Sequence, residues 1–233
     1  PPTLRLHRRT MAAQAKTLLA QQTRSLLGYR PGRELYIFAF LALAALGLRL
    51  WELDGRAMHY DESLHVHYAW RMSVGEGYSH SPWMHGPFQV HMVAFIFKIF
   101  SDSDFTARLG YALFGSALVF LPYFLRTYLG RMGAILTSVF LALSPSMLYF
   151  SRFGRNEVLM AFFALALLTL MWRYLNEGKN RYLYMASAVL ALMFATKETG
   201  YIIVAIFGAA LFFLSMTDLG LPLEICEELC MRP

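Results

Sequence analysis

Six apolar runs, bounded by one long polar loop and by short charged joints, constrain this chain more than any other feature. They cover residues 35–53, 108–128, 132–149, 158–174, 182–195 and 201–214. A helix needs about twenty apolar residues to cross some 30 Å of hydrocarbon, and these runs reach or approach that length. At 57% hydrophobic and 15% charged residues, the 233-residue chain carries more apolar surface than one water-facing core can cover. The expected fold class is all-α: a polytopic integral membrane protein with about six transmembrane helices, plus juxtamembrane helices in the first external loop.

The joints give the orientation. The net charge is +6, but Lys and Arg gather at the ends of the apolar runs rather than in one basic patch. That placement reads as a topology signal, and no nucleic-acid partner is expected. The run at 88–100 (FQVHMVAFIFKIF) follows Pro87 and carries His91 and Lys98 seven apart. It is short for a crossing and suits a helix lying along the membrane surface. If it stays on one side, the basic joints 126–131 and 173–181 share the side of the basic N-terminus, as the positive-inside rule requires. The chain then divides into a basic cytoplasmic segment (1–34), a membrane module (35–214) with an external loop at 54–104, and a short tail (215–233).

The last two apolar runs are separated only by TKETG. One helix through both would hold Lys197 and Glu198 at mid-bilayer, at a cost of several kcal/mol, so two spans with the dipeptide at the surface are preferred. Pro122 and Pro145 read as kinks. Cys226 and Cys230 lack partners for a zinc site and read as reduced thiols. The stretch 5–33 has no apolar core of the kind a cleavable signal needs.

This topology sends three polar patches to one face: the loop 54–104, the link SRFGRNE at 151–157, and Lys197-Glu198. The first is the densest, holding six of the seven histidines between His59 and His91. Asp61 either caps the helix that starts beside it or presents its carboxylate to a ligand. His65 and Tyr68 share its helix face at spacings of four and seven, and the histidines serve either as interfacial hydrogen-bonding groups or as ligands. Arg152 and Arg155 either anchor to lipid headgroups or clamp a phosphate, with Glu157 facing Asp61. Lys197 needs a counter-charge, which Glu198 or a bound phosphate could supply. Patches of this kind can line one membrane-surface cavity for a lipid-linked substrate.

In their order, these residues resemble a known pattern. Tyr60-Asp61-Glu62 comes after the first span, and His85-Gly86-Pro87 leads into a short helix. Ala107-Arg108-Leu109 opens the next span, Ser151-Arg152 with Asn156-Glu157 comes after the third, and Ala195-Thr196-Lys197 after the fifth. Over residues 35–214 the chain is similar to the N-terminal half of the GT-C glycosyltransferases. It most resembles the branch of protein O-mannosyltransferases and lipid A aminoarabinose transferases, and within it the flippase-associated membrane proteins. The resemblance implies an inverting transfer of sugar from a polyprenyl-phosphate donor to an acceptor on the non-cytoplasmic face. It assigns catalysis to Asp61, Glu62 and Glu157, with Asp61 as general base and with Asp61 and Glu157 as ligands if a divalent metal is used. Substrate binding falls to Lys197, Glu198, Arg152, Arg155 and His85, with Lys197 engaging the carrier phosphate. No nucleotide cofactor is expected. Membrane lipids and the lipid-linked donor are the implied partners. The acidic tail SMTDLGLPLEICEELCMRP does not resemble the corresponding continuation of such enzymes. The alternative expectation is therefore a non-catalytic accessory subunit that packs against other membrane proteins.

Overall fold

The computed structural model describes residues 33–78 and 84–218, and every regular element in them is a helix. Residues 1–32, His80, Trp83 and the tail from 219 onward, with Cys226 and Cys230, lie outside the described residues. In chain order the helices are α1 (Arg33–Leu50), α2 (Tyr60–Ser73), α3 (Phe88–Phe100), α4 (Asp104–Phe120), α5 (Pro122–Leu143), α6 (Pro145–Ser151), α7 (Glu157–Glu177), α8 (Asn180–Phe194) and α9 (Thr199–Asp218).

Among the described residues, α7 is the one helix long and apolar enough to cross a membrane by itself, with a mean hydropathy of 1.9. Helices α4 and α5 qualify together as a pair bent by 41° at Pro122. By length and composition alone, one or two crossings are marked among the described residues, short of the expected six. The shortfall has local causes: α1 carries Arg33, Glu34 and Arg49 within its 18 residues, and α8 is only 15 residues long.

A single bent crossing through α4 and α5 conflicts with the backbone inside α5. Gly130 sits at φ 70° and ψ 163°, which is not helical and which a residue without a Cβ reaches without strain. On either side of it, Arg126 and Arg131 both reach Glu34 at the start of α1, at 3.6 and 3.2 Å. Farther on, Arg49 near the end of α1 donates to the Leu141 carbonyl at 3.1 Å. The chain thus turns back at Gly130. The first part of α5 extends α4 antiparallel to α1, setting Tyr123 edge-on against Phe38, and the rest returns alongside α1 into α6.

The core lies between α3, α4 and α7. Phe88, Phe114, Phe162 and Phe163 meet edge-on, with centroids 5.0 to 6.0 Å apart, a geometry that aromatic quadrupoles favour. Buried Tyr111, Val158 and Leu159 complete it. Outer faces stay apolar: Tyr36, Phe40 and Leu43 on α1, Tyr184 on α8, and Ile202 and Ile206 on α9 are all exposed. So much uncovered apolar surface suits a lipid solvent. Helix α3 is 13 residues long, buries Val90, Val93, Ala94 and Phe97, and exposes Phe95 and Ile99.

Charge separates to the two ends. Glu34, Arg126 and Arg131 form one end, joined by Arg173, Glu177 and Arg181 through the contacts of Tyr128 with Trp172 and of Arg173 with Phe124. The other end carries α2, the link 152–157 and the turn after α8.

Candidate functional site

Adjacent residues of α2 form two very different environments. His59 caps the helix, its Nδ1 accepting from the Asp61 backbone N–H at 3.2 Å, while Glu62 accepts from the His59 N–H at 3.1 Å. This reciprocal cap satisfies the first turn without the Asp61 carboxylate.

Glu62 is wholly enclosed, its side chain 1% exposed. Its Oε1 accepts from Arg108 Nε at 2.9 Å and from the Gly154 N–H at 2.8 Å. Its Oε2 accepts from Arg108 Nη2 and Arg56 Nη2, both at 3.0 Å. Arg108 also donates to the carbonyls of Leu53 and Arg56, at 2.9 Å each. Burial alone would raise the Glu62 pKa, but hydrogen bonds from Arg108, Gly154 and His59 outweigh it and hold the carboxyl below its ordinary value. With its acceptor capacity engaged, Glu62 binds together α2, α4, the 53–57 loop and the link before α7.

Asp61 faces the opposite environment. Its carboxylate is 40% exposed and takes one close cation, Arg155 Nη1 at 2.9 Å from Oδ2. Arg155 continues to Glu157, with Nε 3.7 Å from Oε2, and Lys197 Nζ lies 3.1 Å from Glu157 Oε1. Carboxylates and cations thus alternate as Asp61, Arg155, Glu157 and Lys197. The series begins in the first loop, runs through the link before α7 and ends after α8. The counter-charge of Lys197 is Glu157, in place of the Glu198 or phosphate considered from the sequence.

A turn locks the far side of the site. The Gly86 N–H donates to the Thr196 carbonyl at 3.1 Å and the Phe88 N–H to that of Ala195 at 2.9 Å. The approach is so close that a Cβ on Gly86 would collide with the Ala195 carbonyl. His85 holds φ at 58°, and its Nδ1 lies 2.8 Å from Glu198 Oε2. The His-Gly-Pro and Ala-Thr-Lys segments, more than a hundred residues apart, are thereby one structural unit. Glu198 is held below its usual carboxyl range by its own backbone N–H and by His85.

Arg152 goes elsewhere. Its Nη2 donates to the carbonyls of Trp51 and Glu52, at 2.6 and 2.9 Å, so Arg152 and Arg155 do not close on one phosphate. Conversely, sequence reading leaves His65 open between an interfacial group and a ligand, counts Asn156 only within the motif, and does not single out Gln89. All three are buried, and His65 Nδ1, Gln89 Oε1 and both ends of the Asn156 amide lack a hydrogen-bond partner among the described residues. Glu157 Oε2 is likewise without a hydrogen bond. Burial lowers the His65 pKa to about 4, with His85 and Arg155 acting in the same direction, so the imidazole is neutral. Its spacing of four from Asp61 is the one available signal for His65.

Asp61 and Glu157 do not fit a divalent cation as placed. Arg155 stands between them, Lys197 occupies the second oxygen of Glu157, and among the described residues no three acidic, His or Cys side chains cluster for a metal. A hard cation asks for six or more oxygens. What the array offers is an accessible carboxylate beside two cations able to meet a phosphate.

A family model described as dolichyl-phosphate-mannose-protein mannosyltransferase matches residues 84–220. The matched range holds His85, Arg152, Arg155, Glu157, Lys197 and Glu198, and starts after Asp61 and Glu62. No curated protein and no solved structure matches the chain.

Proposed function

The chain belongs to the dolichyl-phosphate-mannose-protein mannosyltransferase family of membrane-embedded, GT-C-type glycosyltransferases, and on that premise we propose that it transfers a sugar from a polyprenyl-phosphate donor to an acceptor hydroxyl on the non-cytoplasmic face. The observation that carries this reading is the Asp61–Arg155–Glu157–Lys197 array, which sets an uncapped carboxylate beside cations from two distant segments.

Each member has a part. The accessible Asp61 carboxylate takes the proton of the acceptor hydroxyl as that oxygen attacks the anomeric carbon. The bond from that carbon to the phosphate oxygen breaks, and the polyprenyl phosphate leaves with the electron pair. Lys197 and Arg155 offset the negative charge that develops there. Before donor binds, Glu157 holds both cations, and the incoming phosphate displaces it from Lys197. His85 and Glu198 fix the turn that carries Lys197. Glu62, placed by resemblance among the catalytic residues, acts through position: its pairing with Arg108 and Gly154 sets Asp61 against Arg155.

The reversal at Gly130 and the gathering of Asp61, Arg155, Glu157 and Lys197 at the end opposite Glu34 support a topology of about six crossings with the Glu34 end cytoplasmic, and the branch of protein O-mannosyltransferases and aminoarabinose transferases is part of the same proposal. On that topology, cysteines placed at Ser63 and Thr199 label from outside the cell and one at Gly178 does not. Protection of either of the first two breaks the orientation.

The direct test of function is Asp61→Asn, assayed with a radiolabelled polyprenyl-phosphate sugar. Transfer should fall by about 10²–10⁴. Unchanged transfer would remove the assignment.

A further inference from the structure

A charged cavity of about 310 Å³ lies beside Arg108, and none of Asp61, Arg155, Glu157 or Lys197 lines it. Its walls come from the end of α1, the 53–56 loop and α6, and they include Arg56, Arg152, Glu52, Leu148 and Tyr149. From this cavity we infer a site for the headgroup of an amine-bearing membrane phospholipid, separate from the proposed transfer site and independent of that activity.

Two fixed guanidiniums recognise the phosphodiester. Arg56 is held by Glu62 at 3.0 Å and lies over the rings of Tyr149 and Phe153, at 5.4 and 5.0 Å from their centroids. Arg152 is held by the carbonyls of Trp51 and Glu52. A guanidinium has five N–H donors in a planar fork. In both residues Nε and Nη1 have no acceptor among the described residues. Two pre-oriented forks on one cavity suit a phosphate, which they can bind in the bidentate way a lysine cannot. The third arginine on the wall, Arg108, has its charge met by Glu62 and draws no ligand.

Two further observations select a lipid and its headgroup. Tyr149 on the wall is 49% exposed, and Trp51, next in sequence to Glu52 of the wall, is 72% exposed; both are aromatic residues of the kind that settle at a membrane–water boundary. Beside the arginines stands the exposed carboxylate of Glu52, which has no cationic partner among the described residues. A zwitterion fits both signs: phosphate on Arg56 and Arg152, ammonium on Glu52, acyl chains leaving past Leu148 and Tyr149. The volume is at the lower end for small-molecule sites and matches a headgroup rather than a whole lipid.

Native mass spectrometry of the detergent-purified protein, titrated separately with phosphatidylethanolamine, phosphatidylglycerol and inorganic phosphate, tests the site. The wild type should bind phosphatidylethanolamine in preference to phosphatidylglycerol. Arg152→Gln should weaken the binding about tenfold, one charge-assisted contact in affinity terms. Glu52→Gln changes an exposed residue, so it is the arm that survives if the arginine variant fails to fold, and it should erase the preference between the two lipids. Equal lipid binding by all variants, or no preference in the wild type, overturns the inference. Competitive displacement of the lipid by millimolar inorganic phosphate would also overturn it, by showing a free-anion site.

Discussion

Asp61 and Glu62 are neighbours in sequence and opposites in surroundings. Glu62 is sealed, with donors on both oxygens from four residues, and its ion pair to Arg108 is buried on both sides. Asp61 is 40% exposed and shares its one close cation with Glu157. A saturated buried pair has nothing left to offer a ligand and serves to hold its surroundings together. An open array whose cations are shared among carboxylates can exchange partners. Within one acidic dipeptide, a single step along the helix thus divides structure from chemistry.

The sealed side should respond most strongly to mutation. Glu62→Ala leaves Arg108 charged and buried without its partner, so unfolding in detergent should show a loss of about 3–5 kcal/mol. A variant of near wild-type stability would mean that Glu62 is not the clamp. Next in size is Gly86→Ala, whose methyl meets the Ala195 carbonyl. Forced overpacking of this kind costs about 1–3 kcal/mol, and thermal melting of the variant should show it. Gly47→Ala, where a Cβ meets nothing within 4 Å, is the matched control.

The smallest effect is one of pH and concerns the open side. His65 is 5% exposed, and its folded pKa is depressed to about 4 from an ordinary 6.5. The folded state therefore binds fewer protons than the unfolded chain between those values. The contribution of neutral His65 is fully present above about pH 6.5 and is lost as pH falls toward 4. Glu62, also depressed, loses its contribution only as pH falls below the ordinary carboxyl value, so the two windows are separable. A His65→Phe variant should flatten the decline in melting temperature between about pH 6.5 and 4.5, and an unchanged slope would show that His65 is not the group responsible.

Part of this was legible in the sequence. The apolar runs and the positions of their charged joints bring residues 61, 155, 157 and 197 to one end, because run length and the distribution of basic joints together set the alternating direction of a bundle. The apolar run after Pro87 gives the thirteen residues of α3, and the charge of Lys197-Glu198 separates α8 from α9. Less can be read where the answer depends on a distant partner. Nothing near Glu62 shows that Arg108, 46 residues on, will seal it, and so sequence alone groups it with Asp61. Arg152 and Arg155 look equivalent at a spacing of three, yet the irregular backbone between α6 and α7 sends them to different partners, the Trp51 carbonyl and the Asp61 carboxylate. The reversal at Gly130 can be placed only to within the basic joint around it, since its cause is a backbone angle.

Stability and turnover measured together on Asp61→Asn and Glu62→Gln probe the division between the two carboxylates. Asp61→Asn should melt within about 1 kcal/mol of wild type, as expected for a partly exposed ion pair, while sugar transfer per folded molecule falls by about 10²–10⁴. Glu62→Gln should lose stability first, with its folded fraction retaining measurable transfer. Full transfer by Asp61→Asn, or an intact and inactive Glu62→Gln, would show that the roles of the two residues are not divided in this way.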